Sequence, residues 1–228
     1  MSCFYNGDCV EGMKKMPDKY FDLAIVDPPY GGAGTDWEDK TNGRFGGHFK
    51  KYKIERTGGK WAEKYGKKIK TWDIAPDKDY FDELFRVSKN QIIWGGNYFN
   101  EYLPSNRNFI IWKKLTISET FTMAMVEYAW TSISGNAKVF EFAPQGKKDD
   151  PRFHPTQKPI ELYTWLLNTY ANENDKILDT HVGSGSSLIA CYRGGYDYTG
   201  FEIDEDYYRQ ANERIEKEKN QLTLFDMN

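Results

Sequence analysis

Within this 228-residue sequence, the residues whose types could do chemistry together are Asp27-Pro28-Pro29-Tyr30. They follow Phe21-Asp22-Leu23-Ala24-Ile25-Val26, an apolar run that reads as a buried strand and is stopped by the prolines. Open α/β sheets place their ligands at the carboxyl ends of parallel strands, and the prolines fix the turn so that its carbonyls point one way. Asp27 and the Pro28 carbonyl can each accept a hydrogen bond from an exocyclic NH2, drawing the nitrogen lone pair out of conjugation with its ring. Tyr30 offers a face on which that ring can stack. This is chemistry on a nucleobase.

A second constellation lies far downstream. Lys176 to Asp179 reads as a short strand, and Thr180 to Ser187 turns tightly into a helix, with Gly183 and Gly185 allowing a ligand close to the backbone. A dinucleotide fingerprint would need a third glycine at Leu188, so a nicotinamide enzyme is disfavoured. Glu202, near the end of the strand Tyr198 to Ile203, can hold both ribose hydroxyls of an adenosine. Upstream, His154-Pro155-Thr156-Gln157-Lys158-Pro159 opens a helix with apolar positions Ile160, Leu162, Tyr163, Leu166, Leu167 and Tyr170. Its N-terminal N–H groups, the Thr156 hydroxyl and the Lys158 ammonium suit a carboxylate.

The tetrapeptide, the hexapeptide and the glycine loop together resemble the motifs of the amino-methylating DNA methyltransferases. Their order resembles the permuted group called beta, in which the catalytic half precedes the cofactor half. The resemblance implies a Rossmann-like, mostly parallel sheet flanked by helices, in one domain over residues 1–228, with S-adenosylmethionine as cofactor and no metal. Carried over residue by residue, it makes Asp27, Pro28, Pro29 and Tyr30 catalytic. It places Asp8, Cys9, Thr156, Lys158, Asp179, His181, Gly183, Ser184, Gly185, Ser186 and Glu202 around the cofactor, and Val126 to Trp130 looks like the later strand of the catalytic sheet. Adenine, flipped out of double-stranded DNA, is favoured as acceptor because cytosine members more often carry serine where Asp27 stands. The chain departs from the family at Asp179-Thr180-His181, where Asp-Pro-Phe is usual; His181 either lines the pocket or fills space. Asp8 has two readings as well, contact with the cofactor adenine and helix N-cap. Cytosine amino-methylation, a catalytically silent DNA-binding module, and RNA or protein amino-methylation are the other function classes.

Around these motifs, 228 residues suffice for one well-buried α/β domain, and 39% hydrophobic with 16% aromatic content is that of a globular protein. The pattern reads as helices over Val10 to Met16 and Asp77 to Val87, and strands over Gln91 to Trp94, Asn108 to Trp112 and Met123 to Trp130. No apolar run approaches a membrane span, and Cys3, Cys9 and Cys191 lack metal spacing, which places the chain in a reducing cytoplasm. The net charge of -3 is unevenly spread. Residues 32–72 carry most of the lysines of the first half among Trp37, Phe45, Phe49 and Tyr52, with no helical or strand period. This basic insertion is read as a DNA-grasping element through Lys50, Lys51 and Lys53, against the alternative of a solvated insertion. After a charged helix, Glu205 to Lys219, the tail carries Gln221, Leu222, Leu224 and Phe225. These either dock on the domain or form a short peptide like those that bind the replication sliding clamp. A monomer or a homodimer is expected.

Overall fold

A computed structural model describes residues 1–31, 73–118, 124–144 and 150–226, with side chains through Gln221. The core element is β2, Phe21–Val26, whose four consecutive residues Leu23 to Val26 are all buried. Such a run needs apolar cover on both faces, the property of a central parallel strand. Leu23 and Ile25 face one hydrophobic core while Ala24 and Val26 face the other. β2 pairs in parallel with β3 (Ser88–Trp94) on one side and with β7 (Lys176–Asp179) on the other.

The remaining strands among the described residues are β1 (Cys3–Asn6), β4 (Phe109–Lys114), β5 (Val126–Thr131), β6 (Lys138–Phe142) and β8 (Asp197–Glu202). All eight form one sheet in the order β1-β8-β7-β2-β3-β5-β4-β6. β5 is antiparallel to both its neighbours and every other pairing is parallel, so the mostly parallel sheet expected from the motifs is found. Helices α1 (Cys9–Met13) and α2 (Lys78–Val87) cover one face, through Met13, Tyr80, Phe81, Leu84 and Val87. The other face is covered by α3 (Ile160–Tyr170), α4 (Ser186–Arg193) and α5 (Glu205–Asp226). Asp77 caps α2, its Oδ1 accepting from the Tyr80 N–H at 3.3 Å.

Two strands were not legible beforehand. β1 and β6 are the sheet edges, and β6 leaves Val139 59% exposed, so neither carries the apolar run that marks an inner strand. The helix expected to end at Lys219 runs on to Asp226, which puts the backbone of Gln221, Leu222, Leu224 and Phe225 in its last turns. Lys50, Lys51, Lys53 and the basic insertion lie outside the described residues. No helix among the described residues is long and apolar enough to cross a membrane.

The topology does one thing for function. β2 and β7 come from opposite ends of the chain yet pair at Leu23 with Ile177 and Ala24 with Leu178. The Asp27 turn and the glycine loop therefore leave the sheet side by side.

Candidate active site

Asp27 follows the last residue of β2, and its side chain is 12% exposed. The Tyr30 hydroxyl donates to Asp27 Oδ1 at 2.8 Å. Burial first, and then the Asp27 charge, push the Tyr30 phenol well above its usual range, so it remains a donor. The Lys158 ammonium donates to Asp27 Oδ2. The Tyr30 ring stacks on Tyr98 with centroids 4.7 Å apart and planes 18° from parallel. Tyr98 belongs to a single 3-10 turn, Gly96–Tyr98, that follows β3 directly. At 42% exposure, it is Tyr98 rather than Tyr30 that presents an open aromatic surface.

The glycine loop begins one strand away. Gly183 and Gly185 have φ of +56° and +81°, values glycine adopts freely and other residues resist. A Cβ on Gly183 would stand 3.2 Å from His154 Cε1, so the loop backbone lies bare against that ring. Asp179 braces the loop from inside, accepting from the Ser187 hydroxyl and from the His181 N–H at 3.0 Å. Burial raises its carboxyl to about 7. At the end of β8, Glu202 accepts from the Gly183 N–H at 2.8 Å and from the Asp204 N–H at 2.9 Å. Two bonds leave a carboxylate with acceptor capacity to spare. At the end of β1, the Asn6 amide and, just after the strand, the Gly7 N–H donate to the Glu202 carbonyl at 2.8 and 2.9 Å, which brings Asp8 beside this corner.

A carboxylate on a proline-fixed turn thus stands next to a glycine loop and a pinned glutamate, and the sequence profile of the N6/N4 DNA methylases matches residues 21–213. The chain belongs to this DNA methylase family. The Type II methyltransferase M.HpaI of Haemophilus parainfluenzae is 25% identical over 251 residues, covering 96% of this chain and 76% of its own. Among solved structures, the M1.HpyAVI complex with S-adenosylmethionine superposes with a TM-score of 0.56 at 19% identity, covering 94% of this chain and all of that one. The cytosine-N4-specific PvuII DNA methyltransferase gives 0.57 at 13% identity, with 96% and 92% covered. At these identities the structures attest to the shared fold.

Within this methylase the expected site residues divide by position. Asp27, Pro28, Pro29 and Tyr30 form one turn, and Asp179, His181, Gly183, Ser184, Gly185, Ser186 and Glu202 gather at the neighbouring strand ends. Cys9 joins them, its sulfur 4.0 Å from His181 Nε2, with burial pushing the thiol up to about 12. Burial also holds the His181 and His154 imidazoles down at about 4 and 3, so both are neutral near pH 7. Asp8 is the N-cap of α1, accepting from the Glu11 N–H at 3.0 Å, as one of its two readings had it.

Lys158 requires a correction. It was expected at a helix N-terminus, open to the carboxylate of a ligand, but its ammonium is 3% exposed and faces inward. It is paired with Asp27 and lies 3.0 Å from Glu127 Oε2, above the buried Trp94 ring. Burial alone would lower its pKa; the two carboxylates reverse the sign and raise it.

Several residues of the site gave no sequence signal. Arg214, on α5, donates to the Ser184 carbonyl at 2.8 Å and to the Ser186 hydroxyl at 2.9 Å while paired with Asp150, and so ties the last helix to the glycine loop. It is one of two arginines on a helix crowded with charged residues, which is why its spacing carried nothing. Tyr98 was hidden in the turn after Trp94, although the doubled glycine before it marked a place of close approach.

Proposed function

We propose that this chain is an S-adenosylmethionine-dependent DNA methyltransferase acting on the exocyclic amino nitrogen of a flipped adenine. The observation that carries this is the Asp27 turn lying beside the glycine loop at the ends of the paired strands β2 and β7. When bound, S-adenosylmethionine supplies an electrophilic methyl group. The residues fit it: Gly183 and Gly185 turn the loop at positive φ without side chains, Glu202 has acceptor capacity for ribose hydroxyls, and Asp8, Cys9 and His181 border the same corner. Thr156 is exposed at the mouth of the loop, its hydroxyl 3.1 Å from His154 Nδ1. Asp179 serves this site as a brace, and Lys158 serves Asp27.

Asp27 and the Pro28 carbonyl accept hydrogen bonds from the two amino N–H groups and localise the nitrogen lone pair, and the carboxylate offsets the positive charge this nitrogen gains. Tyr30 orients Asp27 through its hydroxyl. The base must leave the duplex stack to reach this turn. Adenine is preferred to cytosine because position 27 is aspartate, not the serine more usual in cytosine members. The test is incubation with labelled cofactor and unmethylated DNA, RNA or protein, followed by hydrolysis of the product. N6-methyladenine is the expected product; N4-methylcytosine would overturn the base assignment, and label confined to RNA or protein would overturn the substrate.

Substituting Glu202 by alanine removes the ribose acceptor and leaves the Gly183 and Asp204 N–H groups without their partner. We expect S-adenosylmethionine affinity to fall by about 2 kcal/mol or more. Undiminished affinity by calorimetry would take Glu202 out of the site.

We place DNA contact on the basic insertion within this single domain: charge reversal of Lys50, Lys51 and Lys53 should flatten the salt dependence of binding, by about 0.9 in log-log slope per lost phosphate contact. Recruitment by a sliding clamp through Gln221, Leu222, Leu224 and Phe225 is the partner reading. A clamp titration that gives the same result for the intact protein and for Leu224→Ala/Phe225→Ala ends it.

A further inference from the structure

Asp27 is one end of a row of alternating charges that crosses the top of the sheet. Lys158 stands between Asp27 and Glu127, the latter on β5, and Lys114 at the end of β4 lies 2.6 Å from the other Glu127 oxygen. Lys158 and Lys114 are buried at 3% and 5% exposure, while Glu127 keeps a quarter of its surface. Two carboxylates and two ammonium groups sum to zero. A buried lysine with a single carboxylate would bind it outright, whereas one shared between two neutralises each only in part. Lys158 approaches Asp27 from the interior, over Trp94, and so holds the carboxylate without standing on the exposed side.

We propose that Lys158 and Glu127 are positioning residues: Lys158 holds the Asp27 carboxylate aimed at the target amino group, and Glu127 divides the lysine's charge so that Asp27 still accepts strongly. The proposal rests on the reading of Asp27 as the amino-group acceptor. In this arrangement Asp27 acts as a fixed acceptor, and the proton released after transfer goes to water. Besides Lys158, the titratable groups that face Asp27 are Tyr30 from its own turn, Asp179 from β7, Tyr80 from α2 and Tyr163 from α3, with Glu127 behind the lysine. Asp179 titrates near neutrality, and it is common to every variant below, so differences between them belong to the row.

The experiment compares wild type, Lys158→Met, Glu127→Gln and the double variant in single-turnover methyl transfer from labelled S-adenosylmethionine to unmethylated plasmid DNA of mixed sequence, across pH 5.5 to 9. Cofactor affinity and melting temperature are measured alongside. Without Lys158 the row loses an opposite charge, and the acid limb of the rate should move toward higher pH. Glu127→Gln leaves the lysine undivided on Asp27 and should slow transfer roughly tenfold, the worth of one charge-assisted hydrogen bond, with cofactor affinity unchanged. Removing both restores neutrality with Lys114, and the limb should return part of the way. Superimposable pH profiles across all four proteins overturn the proposal. So does lost cofactor affinity in Lys158→Met with an unmoved limb, which would assign the lysine to the cofactor. Should Lys158→Met fail to fold, the isosteric Glu127→Gln decides alone, and wild-type turnover there overturns the row. Full activity in an Asp27→Asn control would instead overturn the reading of Asp27 itself.

Discussion

Asp27→Ala is expected to abolish methyl transfer while S-adenosylmethionine affinity stays within a few fold of wild type. The substitution removes the acceptor that localises the amino lone pair and offsets its developing charge, an effect worth a factor of about 100 to 1,000 for one preorganised donor or acceptor. It also strands the buried Lys158 ammonium, whose other carboxylate, Glu127, stands 3.0 Å away. Breaking a buried pair on one side costs about 3–5 kcal/mol, so alanine should lower the melting temperature as well. Asparagine in its place keeps the volume and one acceptor oxygen and separates the two effects. We expect Asp27→Asn to melt closer to wild type than alanine does and still lose most of its turnover. Cofactor affinity is insulated because the glycine loop is held by its own partners, Asp179, Glu202 and Arg214. The check is single-turnover transfer beside calorimetric titration of the cofactor. Wild-type turnover in either variant removes Asp27 from catalysis, and a parallel collapse of cofactor binding would mean the two half-sites are not independent.

What could be read from the sequence divides along a physical line. Local chemistry was legible: proline stops β2 after an apolar run, glycine at positive φ builds the loop at 183 and 185, and aspartate caps α2. Each of these acts within a few residues of itself. The mostly parallel sheet, with the Asp27 turn and the glycine loop on neighbouring strands, came through the family resemblance, whereas the order of the eight strands did not. Residues that act across the sheet were illegible. Lys158 was read as part of its own helix start, where a lysine suits an anion; the structure turns it inward because two carboxylates from other strands are there to receive it. Glu127 and Lys114 look on sequence like outward polar residues of half-buried strands, and the row they form exists only once β4 and β5 are side by side. Edge strands β1 and β6 failed for the opposite reason, having too little burial to impose a pattern.

The second large effect is expected at Gly95, a residue with no chemistry of its own. It follows β3 at φ +68°, donates its N–H to the Tyr128 carbonyl at 2.8 Å and accepts from the Tyr98 N–H at 2.8 Å. A Cβ there would lie 2.1 Å from Tyr30 Cε1 and 2.5 Å from Cζ, far inside contact distance. Tyr98 is stacked on one face of the ring and limits the room it has to move. Gly95→Ala must therefore swing Tyr30 off Asp27, giving up the 2.8 Å hydrogen bond, or shift the backbone turn. Left-handed backbone costs an alanine about 1–2 kcal/mol, and overpacking of this kind costs about 1–3 kcal/mol more. For a domain of this size the sum corresponds to a fall in melting temperature of roughly 4–20 °C. Below that temperature, DNA carrying 2-aminopurine at the target position should lose its flipped-base fluorescence change, since the stacking face and the oriented carboxylate move together. Adding Tyr98→Ala opens the space into which Tyr30 must go. The double variant should recover part of the lost stability while base stacking stays weak, because the surface that Tyr98 exposes is then gone. If Gly95→Ala melts like wild type, the ring has another place to go, and the close approach of Gly95 to Tyr30 is not what holds the catalytic turn in shape.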